Sequence, residues 1–294
     1  MPTVRSGPVI GLSAQLAVLA ALAATVGLGG AGWLVGSAYA VITCLALSRG
    51  LDRAGASRLG PADRVTLARG VLVGAVTALV ADSFGRPTPV PLLVAVSAVA
   101  LLLDAVDGRV ARRTGTVSAL GARFDMEVDA FLILVLSAYV ASAQGGWVLA
   151  IGAMRYAFVA AMPVLPWLDG PLPPRFWRKV VAAAQGVLLT VAAARVLPEP
   201  WTTLVLVVAL ALLVESFGRD VAWRWRRRPA ARRPRPASVS VAAPTTVVAP
   251  LASAPVAVPL LPSGGHTPVV VPPLLPVRAM AVRSGGTVHS DWRL

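Results

Sequence analysis

The sequence predicts an all-α polytopic membrane protein, a bundle of bilayer-crossing helices followed by a tail without regular structure. Three observations predict it. Of the 294 residues, 56% are hydrophobic and 14% are charged, against about 25% charged in an ordinary soluble domain. The mean hydropathy is +0.74. The apolar residues also gather in runs close to the roughly 20 residues that a bilayer crossing requires.

Eight such runs occur, near 9–29, 31–48, 66–83, 88–107, 118–141, 146–166, 179–197 and 200–218. The first two follow each other almost at once and predict an N-terminal transmembrane hairpin over 1–48. Arg5 ahead of an Ala/Leu run also fits a cleavable leader, but the second run directly behind it favours the hairpin. Residues 49–65 mix charged and apolar side chains and are expected to lie along the membrane surface, with an interfacial helix from Gly50 to Asp63. Residues 66–228 carry six further spans and form the expected main membrane domain. Over 229–294 there are twelve prolines in 66 residues. That density breaks both helix and strand, so the segment reads as a Pro-rich disordered tail.

The net charge is +14, from 27 basic and 13 acidic residues, and Lys179 is the only lysine. Such a preference for Arg fits a GC-rich bacterial genome. The basic residues cluster in alternate connections: Arg49, Arg53, Arg58 and Arg64, then Arg109, Arg112 and Arg113, then Arg175, Arg178 and Lys179, then the run after Arg219. The connections between these are nearly neutral, with Arg86 the main exception. The positive-inside rule therefore puts these loops and both termini in the cytoplasm, with the protein in a bacterial inner membrane. Arginines spread along headgroup level argue for lipid contact and against nucleic-acid binding. The lone Cys44 allows no intrachain disulfide. His266 and His289 fall in the tail, which leaves the membrane part without His-based zinc or Ser/His hydrolase chemistry.

Carboxylates are costly within a bilayer, yet LDAVDGRVARRTGTVSALGARFDMEVD, residues 103–129, holds four aspartates. On helices, Asp104 and Asp107 share one face, as do Asp125 and Asp129. The short connection between the two spans makes them antiparallel neighbours and brings both pairs to one depth. Four carboxylates so close repel each other unless cations balance them, and hard divalent ions with oxygen ligands do this. Two such ions about 3.5–4 Å apart suit phosphoryl chemistry. Gly108 and Gly121 would let a ligand or a backbone approach closely, and Arg112 would supply a bidentate phosphate donor.

Written as spacing, the stretch is D-x2-D-G-x2-A-R-x8-G-x3-D-x3-D, filled by Asp104, Asp107, Gly108, Ala111, Arg112, Gly121, Asp125 and Asp129. It resembles the signature of the CDP-alcohol phosphatidyltransferases at all eight fixed positions, and the likeness extends over roughly residues 61–218. The resemblance implies a six-helix core and a homodimer. It implies two divalent ions, Mg²⁺ or Mn²⁺, held by Asp104, Asp107, Asp125 and Asp129, with Asp129 also the catalytic base. Gly108, Ala111, Arg112 and Gly121 would surround the cytidine diphosphate, joined by Asp63 and Thr66 from ADRVTLARG. The implied reaction transfers a phosphoalcohol group from a CDP-alcohol, CDP-diacylglycerol foremost, to a small hydroxyl acceptor and releases CMP.

An anionic acceptor could be met by Arg155, Arg175, Arg178 and Lys179; for Arg155 a salt bridge to Glu127 is the competing reading. The TLAR stretch resembles enzymes that use glycerol phosphate, yet those commonly place Lys after the last aspartate, where this chain has Ala130. Inositol phosphate, serine and choline therefore stay open. Two other classes compete with an enzyme. One is a transporter with intramembrane Asp and Arg, which would more often show an internal repeat; the other is a catalytically silent scaffold acting through its tail.

Overall fold

The computed structural model describes residues 6–55, 59–114, 118–168 and 176–227, with the side chains of Pro61 and residues 107–114 outside that description. Eight α-helices occur among the described residues: α1 (Ser6–Val26), α2 (Gly30–Arg53), α3 (Pro61–Ser83), α4 (Val90–Thr114), α5 (Ala119–Gln144), α6 (Leu149–Ala161), α7 (Phe176–Ala194) and α8 (Glu199–Arg226). Single 3₁₀ turns, Gly146–Val148 and Pro166–Leu168, flank α6. No strand occurs among the described residues. Helix is the expected outcome where no water is present to satisfy backbone N–H and C=O groups.

Each of the eight apolar runs falls on one of these helices. Six of them, α1, α2, α3, α5, α7 and α8, are long and apolar enough to cross a membrane. The chain is an integral membrane protein. The other two have shorter apolar parts, Val90–Val106 in α4 and Gly146–Ala161 around α6. In α4 the aspartates end the apolar stretch; after α6 the chain turns at Met162–Val164, where Pro163 cannot donate an i→i−4 hydrogen bond. No separate surface helix forms over 50–63 among the described residues. Instead α2 runs on to Arg53 and α3 begins at Pro61, a residue whose fixed φ and missing N–H suit a first helical turn. The proline-rich segment over 229–294 lies outside the described residues.

The core is built around α3, which packs on α1, α2, α4 and α5. Val73, Val76 and Ala78 of α3, Leu93 of α4, Leu136 of α5 and Leu189 of α7 are fully enclosed. Hydroxyls inside this apolar region bond back to their own helices: Thr77 to the Val73 carbonyl at 2.7 Å, Ser97 to Leu93 at 2.8 Å and Thr190 to Gly186 at 2.8 Å. Gln185 crosses from α7 to donate to the Ala209 carbonyl of α8 at 2.9 Å. Each of these bonds answers a donor that would otherwise be costly in an apolar surround.

The bundle has a basic end, where α2, α5, α7 and α8 carry arginines, and a far end held by polar latches. At the far end the Gly29 N–H donates to Asp82 at 3.0 Å, and Arg86 donates to the Gly27 carbonyl at 2.7 Å. Together they tie the α1–α2 turn to the end of α3. Gln144 donates to Glu199 at 2.9 Å and joins α5 to α8.

Helices α5 and α6 meet with almost no spacing. A Cβ at Gly152 would lie 2.4 Å from the Leu134 Cα and 3.0 Å from the Ser137 hydroxyl. Small residues at such a crossing allow backbone-to-backbone packing in membranes. Gly152→Ala must therefore push the helices apart, because the obstructing atom is backbone. Such overpacking costs about 1–3 kcal/mol, and thermal unfolding in detergent should show a loss of about 2–8 °C.

Candidate active site

The carboxylates converge on a buried arginine. Arg69 of α3 is 1% exposed. Its Nη1 donates to Asp104 of α4 at 2.8 Å, while its Nη2 donates to Asp125 at 2.5 Å and to Asp129 at 2.8 Å, both on α5. The same Nη2 reaches the Asp125 backbone carbonyl at 3.3 Å. The fork of the guanidinium suits this geometry, since planar donors diverge toward several oxygens at fixed angles. The three carboxylates are each about one-third or more exposed, at 40%, 37% and 35%. The cluster therefore has an enclosed cationic floor and an accessible anionic rim.

Local sequence explains how the helices reach this arrangement. Asp125 and Asp129 stand one turn apart on α5, so both turn toward α3. The start of α5 is set by Ser118, whose hydroxyl accepts the Gly121 N–H at 2.8 Å as an N-cap. Ser118 also donates to Asp63 at 3.3 Å, and Asp63 accepts the Gly60 N–H at 3.0 Å. Asp63 is thus buried at the first turn of α3 and joined to the first turn of α5. A Cβ on Gly121 would sit 2.0 Å from the Asp63 carboxylate, so this glycine is what lets the two first turns touch.

The expected site residues divide accordingly. Asp104, Asp125 and Asp129 come together, with one oxygen from each lying within 4.8 Å of the others. Asp107, Gly108, Ala111 and Arg112 continue α4 immediately beyond Asp104, and their side chains lie outside the described residues. Asp63 and Gly121 meet each other, and Thr66 is buried with its hydroxyl 3.3 Å from the Ala62 carbonyl. Of the expected acceptor residues, Arg155 pairs with Glu127 and donates to the Met126 sulfur at 3.0 Å. Arg178 faces Asp220 at 3.7 Å, and Lys179 is exposed on α7. Arg175 lies outside the described residues.

Residues 60–215, more than half of the chain, match the sequence model of the CDP-alcohol phosphatidyltransferases. The chain belongs to that family. No curated protein and no solved structure matches it. The match begins at the Gly60 cap of α3 and ends within α8, so it takes in Arg69 and every aspartate of the cluster. Helices α1 and α2 precede it. CDP-alcohol phosphatidyltransferases move a phosphoalcohol group from a CDP-alcohol and use divalent metal. The donor set here fits such an ion, because three carboxylate oxygens converge and hard cations such as Mg²⁺ take oxygen ligands.

Sequence reasoning missed Arg69. A signal was present: the residue stands inside the third apolar run, in LARGVLV, where an arginine is expected to have an anionic partner. The basic cluster read from the sequence stopped at Arg64, five residues earlier. Removing Arg69 should expose the repulsion it offsets. In chelator, Arg69→Gln is expected to destabilise the protein by about 1–2 kcal/mol, a modest figure because solvent screens the half-open carboxylates. Added Mg²⁺ should recover more melting temperature in this variant than in wild type.

Proposed function

We propose that the protein transfers a phosphatidyl or related phosphoalcohol group from CDP-diacylglycerol, or another CDP-alcohol, to a hydroxyl acceptor and releases CMP. The observation that carries this reading is the meeting of Asp104, Asp125 and Asp129 over the buried Arg69, inside the segment that belongs to the family. Divalent ions, two of Mg²⁺ or Mn²⁺, would be held by these aspartates together with Asp107. When bound they supply Lewis-acid stabilisation of the charge that develops on phosphate oxygens.

The remaining chemistry belongs to the chain. Asp129 takes the proton of the acceptor hydroxyl, whose oxygen forms a bond to the β-phosphorus of the donor. The bond from that phosphorus to the bridging oxygen breaks, and the electron pair leaves with CMP. Arg69 offsets the mutual repulsion of the carboxylates from beneath and holds them on one spot. Gly108, Ala111 and Arg112 follow Asp104 on α4, where the cytidine diphosphate would lie, and Thr66 and Gly121 flank the same end of the bundle. Asp63 supports that end by joining α3 to α5.

The basic end also suits an anionic acceptor. Arg178 and Lys179 open α7 there, with Arg175 just ahead of them in sequence, whereas Arg155 is engaged by Glu127. By the same charge argument the site and both termini face the cytoplasm of a bacterial cell, within the inner membrane; the homodimer is what the family resemblance implies.

The test is CMP release by purified protein in detergent with CDP-diacylglycerol and Mg²⁺, across glycerol 3-phosphate, inositol phosphate, inositol, serine and phosphatidylglycerol. Release that one acceptor stimulates and EDTA abolishes is the expected result. Silence across the panel with no binding of CDP-diacylglycerol would overturn the proposal. Asp129→Asn should keep CDP-lipid binding and lose turnover by about 10²–10⁴-fold, the usual worth of a general base; retained turnover would remove Asp129 from that role.

A further inference from the structure

The N-terminal hairpin reaches the flanks of the carboxylate site through one residue. Tyr39 lies on α2, ahead of the segment that matches the family. Its hydroxyl donates to the Gly70 carbonyl at 3.0 Å. Its ring stacks on Phe131, with centroids 5.2 Å apart and planes at 21°. Gly70 is the residue after Arg69, and Phe131 is two residues past Asp129. One side chain thus touches the helix that supplies the guanidinium and the helix that supplies two of its three partners, each within two residues of the interacting group.

The surroundings make this contact hard to replace. A cavity of about 450 Å³ lies beside Tyr39, lined by Val35, Ala38 and Ile42 of α2 and by Phe124, Val128 and Phe131 of α5. At this level α2 and α5 stand apart, and the Tyr39–Phe131 stack bridges the gap. Elsewhere α2 is held rigidly. A Cβ on Gly32 would lie 2.9 Å from the Ala78 carbonyl of α3, and the Gly29 N–H is capped by Asp82. At the basic end Leu47 and Leu51 are buried with Leu59, against Leu67 of α3 and Leu120 and Phe124 of α5. Helix α2 therefore lies along α3 and α5 as a splint.

The bonds of 2.5 and 2.8 Å from Arg69 to Asp125 and Asp129 depend on the separation of α3 and α5. Interactions of this kind lose strength steeply as distance and angle degrade. We propose that Tyr39 is a positioning residue for the carboxylate–arginine site, and that the hairpin outside the family core is through it a working part of that site. This inference rests on the metal-binding reading given above. It predicts that metal affinity depends on a tyrosine whose hydroxyl is bonded to the Gly70 carbonyl and not to the carboxylates.

The experiment is Mn²⁺ titration of the full-length protein in detergent, followed by electron paramagnetic resonance, with melting temperature measured on the same samples. Four proteins are compared: wild type, Tyr39→Phe, Tyr39→Leu and Asp82→Ala. The last loosens the same hairpin at its far end and controls for stability alone. Outer partners of metal ligands are worth about 10–100-fold in affinity. Tyr39, one step further out, should lose about 10-fold as Tyr39→Leu and about 2–3-fold as Tyr39→Phe, which keeps the ring stack. Asp82→Ala should bind Mn²⁺ as wild type does, even with an equal loss of melting temperature. Wild-type affinity in Tyr39→Leu, or an equal loss of affinity in Asp82→Ala, would overturn the proposal. If Tyr39→Leu does not fold, Tyr39→Phe decides: a loss of about 2–3-fold supports the proposal, and wild-type affinity overturns it. Failure of the wild type to bind Mn²⁺ would instead contradict the metal reading itself, and the inference would fall with it.

Discussion

A guanidinium enclosed among helices requires anionic partners, and three carboxylates on neighbouring helices require a cation. The contact between Arg69 and Asp104, Asp125 and Asp129 meets both requirements at once. The buried guanidinium is the side that depends most on its partners, while solvent screens the half-open carboxylates when it is removed. The contact fixes where α3, α4 and α5 must cross, because one side chain reaches all three. It also leaves the carboxylate rim open, and an open anionic rim over a cationic floor is a place for divalent ions and phosphate.

The rest of the bundle serves that crossing. Glycines make room for close approaches: at Gly121 the Asp63 carboxylate occupies the space a Cβ would take, and at Gly152 α6 meets the backbone of α5 at Leu134. Hydroxyls within the apolar core bond back to their own helices, as with Thr77 and Ser97, and Gln185 reaches across from α7 to α8. The far-end latches through Asp82 and Glu199 stand well away from the carboxylate cluster and hold the helices without adding chemistry.

Much of this was legible in the sequence, for physical reasons. Eight apolar runs are readable because a bilayer imposes a length and excludes charge. The aspartates are readable because their cost in such runs is high and their spacing matches a helical turn. The cation that answers them was missed although its place inside the third apolar run is a signal, because Arg69 sits only five residues after Arg64 and which carboxylates it meets depends on how α3, α4 and α5 pack. For Arg155 the sequence offered both an acceptor site and a salt bridge to Glu127, and the structure contains that salt bridge, to a residue on the helix packed against α6. The end of α2 was misplaced because helix continues wherever its backbone bonds can form, and charged residues such as Arg49 and Arg53 do not interrupt it. Tyr39 gave no signal, since its two contacts lie on other helices, at Gly70 and Phe131.

The most direct test of this account is a crystal structure of the protein grown with Mn²⁺, with anomalous diffraction recorded to locate the ion. The account predicts anomalous density bonded to oxygens of Asp104, Asp125 and Asp129, with Arg69 still buried beneath the cluster. Density bound elsewhere with these three carboxylates metal-free, or carboxylates dispersed to separate partners, would contradict it.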